Sequence, residues 1–234
     1  MYSINSYGAM IADRVRVKAY AEALRRVITN DSVVVDLGAG TGIFALLACR
    51  FGARRVYAIE PADAIQVARE IAAANGYADR IEFRQAVSSE VTLPERADVI
   101  VSDIGGVLPW FQTHLTSIAD ARRRFLAPGG VLIPQQDAVW AAAVEAPDLY
   151  ARHSAPWEGC GFDFDMEAAR RLAVNSFKKC DVTAQQLLTE PRRWATVDYT
   201  QVDASNVQAL VRWTVSRAGT GHGIAMGLDR TLAE

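Results

Sequence analysis

Three glycines at alternate positions, Gly38, Gly40 and Gly42, follow Asp36 at the end of a β-branched run from Val33 to Leu37. A second apolar run, "RVYAIE", closes on Glu60. Glycine at a strand end lets backbone approach a ligand closely and accepts positive φ. A carboxylate at the end of the neighbouring strand accepts hydrogen bonds from two ribose hydroxyls. Dinucleotide sites use G-x-G-x-x-G, with a pyrophosphate at the following helix N-terminus. The pattern here is D-x-G-x-G-x-G, and an acid beside the glycines repels phosphate but suits an ammonium group. A ligand with adenosine at one end and an amino acid at the other meets both demands. That ligand is S-adenosylmethionine, which leaves S-adenosylhomocysteine after methyl transfer. A nicotinamide-dependent oxidoreductase is disfavoured by the same spacing.

Two further strand ends complete the expected site. "AVSS" closes the third strand, with Val87 and Ser88 placed for the adenine ring and its amino group. "SDIGG" closes the fourth, which puts Asp103 beside the reaction centre. His114 is the histidine nearest that centre, with a helix-surface or packing role as its plainer reading. His153 and His222 read as structural.

The elements that must position these residues follow from periodicity. Residues 8–28 read as one amphipathic helix and residues 42–52 and 63–76 as two more. Residues 32–37, 55–60, 80–87 and 97–104 read as strands. Residues 111–130 read as a helix stopped by Pro-Gly-Gly, with a strand beginning at residue 131. Strands alternating with helices at this spacing predict a Rossmann-like, doubly wound α/β domain. Beyond residue 145 the segments 174–188, 192–203 and 207–229 read as strands without intervening helices. This predicts an antiparallel β-barrel-like unit, apparently incomplete. The expected division is a cofactor-closing helix over 1–30, a donor-binding domain over 31–145 and a substrate domain over 146–234.

The 234 residues are 50% apolar and 22% charged, with a net charge of −2, so composition offers no general attraction for nucleic acid or an anionic membrane. The basic clusters "ARRRF" and "PRRW" read as solvated faces. Cys49, Cys160 and Cys180 are widely spaced, as expected of reduced thiols in a cytoplasmic protein without metal. No stretch is long and apolar enough to span a bilayer.

"MIADRVRVKAY" (Met10 to Tyr20), "DLGAGTGIFALLACRFGARRVYAIE", "LPERADVIVSDIGG", "FLAPGGVLIPQQ" and "HGIAMGLD" follow in order the motifs of protein arginine methyltransferases. The sequence resembles that family over nearly its whole length, as a divergent, bacterial-type member. The resemblance implies Met10 beside the transferred methyl and Arg16 on the donor's carboxylate. It implies Asp36 and the glycines at the amino-acid end, and Glu60 at the ribose. Asp13 would join an aspartate–histidine pair near the acceptor, whose histidine comes from a segment beyond the end of this sequence.

The family's substrate loop carries two glutamates that clamp a guanidinium. Asp103 and Gln112 stand at those positions here, one acid shorter by a methylene and the other replaced by a neutral amide. Methyl transfer to a nitrogen acceptor of a protein, peptide or small molecule is the implied activity. Transfer to a small amine, guanidine or hydroxyl, and a donor-binding partner subunit without turnover, stay open. A homodimer is expected from the family.

Overall fold

The computed structural model describes residues 3–106, 108–110, 113–159, 164–203 and 207–233. The elements run α1 (Ile4–Ala12), α2 (Arg14–Val27), β1 (Val33–Leu37), α3 (Ile43–Arg50), β2 (Arg55–Ile59), α4 (Ala64–Ala74), β3 (Ile81–Arg84) and β4 (Ala97–Ser102). They continue with α5 (His114–Phe125), β5 (Leu126–Ile133), β6 (Gln136–Val144), α6 (Pro147–Ser154), α7 (Glu167–Val174), β7 (Arg192–Asp198) and β8 (Gly223–Thr231). Two units divide the chain. One holds Met1–Asp137, Thr196–Val207 and Asp229–Glu234, and the other Ala138–Ala195 and Gln208–Leu228.

The first unit is built on a five-stranded parallel sheet of order β3-β2-β1-β4-β5. β1 is buried at every position because both faces of the sheet are covered, which a continuous apolar run requires. Its alternation divides the core in two. Val34 packs with Leu24, Phe44, Ala48 and Val56, whereas Val33, Val35 and Leu37 pack with Leu115, Ile118 and Phe125. Helices thus lie on both sides of the sheet, as the alternating pattern predicts.

The strand and helix boundaries depart from expectation in three places. Residues 8–28 are not one helix. The break falls at Asp13, whose carboxylate accepts the Arg16 N–H at 3.1 Å and caps α2. Residues 126–130 are not helical either. The helix ends at Phe125 and Leu126 opens β5, an edge strand where Pro128 removes no needed ladder bond.

The third departure is in the later half, which is not purely strand. Pro147 starts α6 at its first turn and α7 follows as a second short helix. Residues 174–188 hold only a helical turn, Ala184–Gln186, and a bridge from Leu187 to Val144. Strand within 207–229 begins only at Gly223. The antiparallel sheet itself is present, three-stranded among the described residues, in the order β7-β6-β8.

Candidate functional site

A cavity of about 570 Å³ opens at the carboxyl ends of β1, β2 and β4, beside the switch in strand order. That volume suits a ligand of nucleoside size. Tyr7, Met10 and Ile11 of α1 line it with Arg16, Gly38, Glu60, Val87, Ser88, Asp103 and His114. The sequence-predicted residues Met10, Arg16, Gly38, Glu60, Val87, Ser88 and Asp103 are therefore brought to one cavity. Asp36, Gly40, Gly42 and Asp13 are not in its lining. Gln112 lies outside the described residues.

Glu60 is fixed by backbone on both oxygens. Its Oε2 accepts the Gly40 N–H at 3.0 Å and its Oε1 accepts the Ala62 N–H at 2.8 Å. Each oxygen keeps a lone pair for a hydroxyl, in one set orientation. The glycine turn that supplies one of these donors is itself pinned. Gly38 and Ala39 donate to the Ile59 carbonyl at 2.8 and 3.0 Å. A methyl at Gly40 would sit 2.4 Å from the Tyr7 ring, and one at Gly38 only 2.1 Å from Ile104, so both positions need bare backbone.

Asp36 supports this turn from beneath. Fully buried in β1, it accepts the Ala45 N–H at 2.9 Å, satisfying a first-turn donor of α3. Burial pushes its pKa up to about 7, opposed by the Ala45 hydrogen bond and helped by the nearby Glu60 and Asp103 carboxylates. Asp13 is exposed and serves as the α2 cap.

Asp103 is the centre of a buried polar network that joins Arg16 of the first motif to residues outside the motifs. Arg16 forms an ion pair with its Oδ2, and Arg230 Nη1 donates to its Oδ1 at 3.1 Å. Arg230 also grips Asp137, from Nε to Oδ1 at 2.8 Å and from Nη2 to Oδ2 at 2.7 Å. Burial opposes the Arg230 charge, but Asp137 and the other partners more than offset it and its pKa moves up. Burial likewise pushes the Asp103 carboxyl up, with Arg16 and Arg230 pulling against it.

The Tyr199 hydroxyl donates to Asp137 Oδ2 at 2.6 Å, and His114 Nε2 lies 3.2 Å from that hydroxyl. The hydroxyl proton being committed to Asp137, its oxygen accepts from Nε2–H, which leaves Nδ1 as the unprotonated nitrogen. His114 is thus buried, not a surface residue, and its Nδ1 has no hydrogen-bond partner among the described residues. Burial pushes its pKa down to about 4, and the Arg230 charge adds to that.

The basic cluster at the end of α5 does more than face solvent. Arg124 Nη1 donates to the Ser88 and Ser89 carbonyls at 3.1 and 3.3 Å, and its Nη2 donates to the Val91 carbonyl. One guanidinium therefore holds the loop that carries Val87 and Ser88.

Among known proteins, the family model of ribosomal protein L11 methyltransferase (PrmA) matches residues 18–151. Probable protein arginine N-methyltransferase 6 of Arabidopsis thaliana is 30% identical over 233 residues, covering 94% of this chain and 52% of the relative. Protein arginine N-methyltransferase PRMT10 of Oryza sativa subsp. japonica is 39% identical over 139 residues, or 58% of this chain and 37% of the relative. The solved structure of Arabidopsis thaliana protein arginine methyltransferase 10 superposes with a TM-score of 0.74 at 25% identity, covering 87% of this chain and 64% of that one. The Trypanosoma brucei PRMT1 enzyme-prozyme heterotetrameric complex with AdoHcy gives 0.73 at 26% identity, covering 83% and 62%.

The chain matches a methyltransferase family model over more than half its length, and its homologues and structural neighbours are protein arginine N-methyltransferases. It spans about half the length of the curated relatives it matches. The L11-type match is confined to residues 18–151, the donor-binding half, whereas the arginine methyltransferase matches run on into the antiparallel sheet. Arg230, Asp137, Tyr199 and Arg124, which surround this site, were missed from sequence. Buried charge cannot be read from an isolated arginine or aspartate. The one available signal was Asp137, a lone acid at the head of the apolar run "AVWAAAV".

Proposed function

We propose that this chain binds S-adenosylmethionine in the cavity at the β1, β2 and β4 ends and transfers its methyl to a nitrogen acceptor beside Asp103. The observation that carries the reading is Glu60, held by the Gly40 and Ala62 amides with lone pairs left for two hydroxyls. Several features of the site fit that donor. Gly38 offers bare backbone at the β1 end, Ser88 and Val87 form the far wall, and Arg16 is a cation available to a carboxylate. Bound there, the donor supplies an electrophilic methyl on a sulfonium.

The residues of the chain position and desolvate the exchange, which is most of what in-line displacement asks. Met10 and Ile11 of α1 wall the cavity against water, and Asp103 accepts a hydrogen bond from the acceptor nitrogen. Asp36 serves this site indirectly, as the clasp between β1 and α3, and Asp13 as the cap of the helix that carries Arg16.

A protein, a peptide or a small molecule as acceptor, and the cytoplasm as compartment, fit this reading. So does a homodimer, since Leu172 of α7 and Phe177 just beyond it are exposed apolar side chains. A donor-binding subunit without turnover is a second reading, favoured by the pairing of Asp103 with two arginines of its own chain.

The test is calorimetric titration with S-adenosylhomocysteine of the wild type and of Glu60→Gln, followed by radiolabelled transfer to a peptide mixture. An amide can accept at only one of its two positions, so the variant leaves one backbone N–H facing an NH2 group. A loss of about 1–2 kcal/mol, roughly tenfold in affinity, is expected. Unchanged affinity would show the ribose site is elsewhere, and no binding by the wild type would end the donor reading. Binding with no transfer to any acceptor favours the subunit reading.

A further inference from the structure

Resting on that donor reading, we propose that Arg230, which does not line the cavity, is a positioning residue for the donor. By occupying one oxygen of Asp103 it limits that acid to a single contact with Arg16, and so leaves Arg16 N–H groups for the donor's carboxylate.

Arg16 is aimed at the cavity by the helix that carries it. Arg16 and Tyr20 lie one turn apart on α2 and share a face. The Tyr20 hydroxyl donates to the Ser102 carbonyl at 3.2 Å, which sets that face against the end of β4. Arg16 reaches the next residue, pairing through Nη2 with Asp103 Oδ2. Its side chain lines the cavity, is 30% exposed and has no other ion-pair partner among the described residues. A guanidinium has five N–H donors, so one contact through Nη2 leaves a fork of two N–H groups for a second carboxylate.

How much of Arg16 the acid takes is decided at its other oxygen. Arg230 Nη1 donates to Asp103 Oδ1 at 3.1 Å and lies 3.4 Å from the Tyr20 hydroxyl. Arg230 is itself fixed, its Nε and Nη2 forked on Asp137 at 2.8 and 2.7 Å. Asp137 is wholly buried and also accepts the Tyr199 hydroxyl at 2.6 Å. The loop after Asp103 leaves room for this arginine, since a Cβ at Gly105 would fall 2.9 Å from Arg230 Nη2.

With Oδ1 taken, Asp103 meets Arg16 through Oδ2 alone. With Oδ1 free, both oxygens would be open to the same guanidinium. The terminal torsion of an aspartate is broad, so little within the residue resists that turn. The bidentate pair is the stronger arrangement, and it would spend the N–H groups that the donor needs. Stability alone is weak grounds for a buried Asp137–Arg230 pair, because desolvation offsets its attraction. Removing both members takes away one charge of each sign, so the effect left at the donor is one of geometry.

The experiment titrates two ligands into the wild type and into Arg230→Gln/Asp137→Asn. One is S-adenosylhomocysteine, and the other its decarboxylated analogue, which keeps the adenosine and the ammonium. The wild type is expected to prefer the ligand with the carboxylate. The double variant is expected to lose about tenfold of that preference, as for one charge-assisted hydrogen bond, while the analogue binds both proteins alike. A loss of less than about threefold overturns the proposal, whether S-adenosylhomocysteine affinity is kept or both ligands weaken together as general loosening would cause. A wild type that binds the two ligands equally overturns it too. Should the double variant lose its folded circular dichroism, Arg230→Met/Asp137→Leu takes its place under the same criterion. A crystal structure of the wild type with S-adenosylhomocysteine is the second measurement. Arg16 bridging Asp103 Oδ2 and the donor carboxylate, with Arg230 still on Oδ1, is expected, and Arg16 on only one of those carboxylates overturns the proposal. Failure of the wild type to bind either ligand would be seen before any variant is compared and would sink the donor reading itself.

Discussion

Replacing His114 by glutamine should flatten the acid side of the stability curve. In the folded chain burial, with the Arg230 charge adding, holds the imidazole pKa at about 4 against an ordinary value of 6.5. The unfolded state therefore binds more protons than the folded state between those values. Stability falls as pH falls from 6.5 towards 4, and no further change comes from this group below that. The linkage relation puts the loss at ~2 kcal/mol between about pH 7.5 and pH 5, approaching ~3 kcal/mol below pH 4. A glutamine keeps an N–H for the Tyr199 oxygen but has nothing to titrate.

Urea denaturation followed by circular dichroism, on both proteins across that range, isolates the effect. Titrations of the many carboxylates are common to the two and cancel in the difference. The gap between the curves should shift by ~2 kcal/mol in favour of the variant from about pH 7.5 to pH 5. Parallel curves would refute the buried, neutral histidine and with it the assignment of Nδ1 as an available lone pair.

Asp36 carries the opposite slope. Its folded pKa is raised from 3.8 to about 7, so the folded state holds the extra proton and the contribution is lost as pH rises from 3.8 through 7. Asp36→Asn should therefore gain on the wild type by up to ~3 kcal/mol across that interval, read from the same denaturation series; a constant difference would contradict it. Arg124→Ala should release the Ser88, Ser89 and Val91 carbonyls, lower the melting temperature and weaken S-adenosylhomocysteine binding about tenfold, since charge-assisted hydrogen bonds contribute roughly 1.5–3 kcal/mol each. Loss of stability with unchanged donor affinity would mean that this loop does not shape the adenine end.

What was legible in sequence is what local rules govern. β1 announced itself as a continuous apolar run because both its faces are covered, and Gly38, Gly40 and Glu60 stood out because close backbone approach and a strand-end acid are positional needs. The break between α1 and α2 was missed because apolar spacing continues across it. Only the Asp13 side chain, capping Arg16, ends one helix and starts the next. The helices α6 and α7 are eight residues each, too short for periodicity to separate them from strand, and the Pro147 start signal stood alone. Asp36 was read as a ligand group on its type and place; its depth in β1, which sequence did not convey, brings one of its oxygens to the Ala45 N–H of α3.

The acceptor end shows where local reading stops. Asp103 is visible as an acid at a strand end, but its chemical character depends on Arg230, 127 residues further along, and on Asp137, which holds that arginine from 93 residues away. Alone, Asp103 would be a free carboxylate; in the fold Arg230 sits on one of its oxygens and Arg16 on the other. The step from two glutamates to Asp103 and Gln112 looks, in sequence, like a weakened guanidinium clamp.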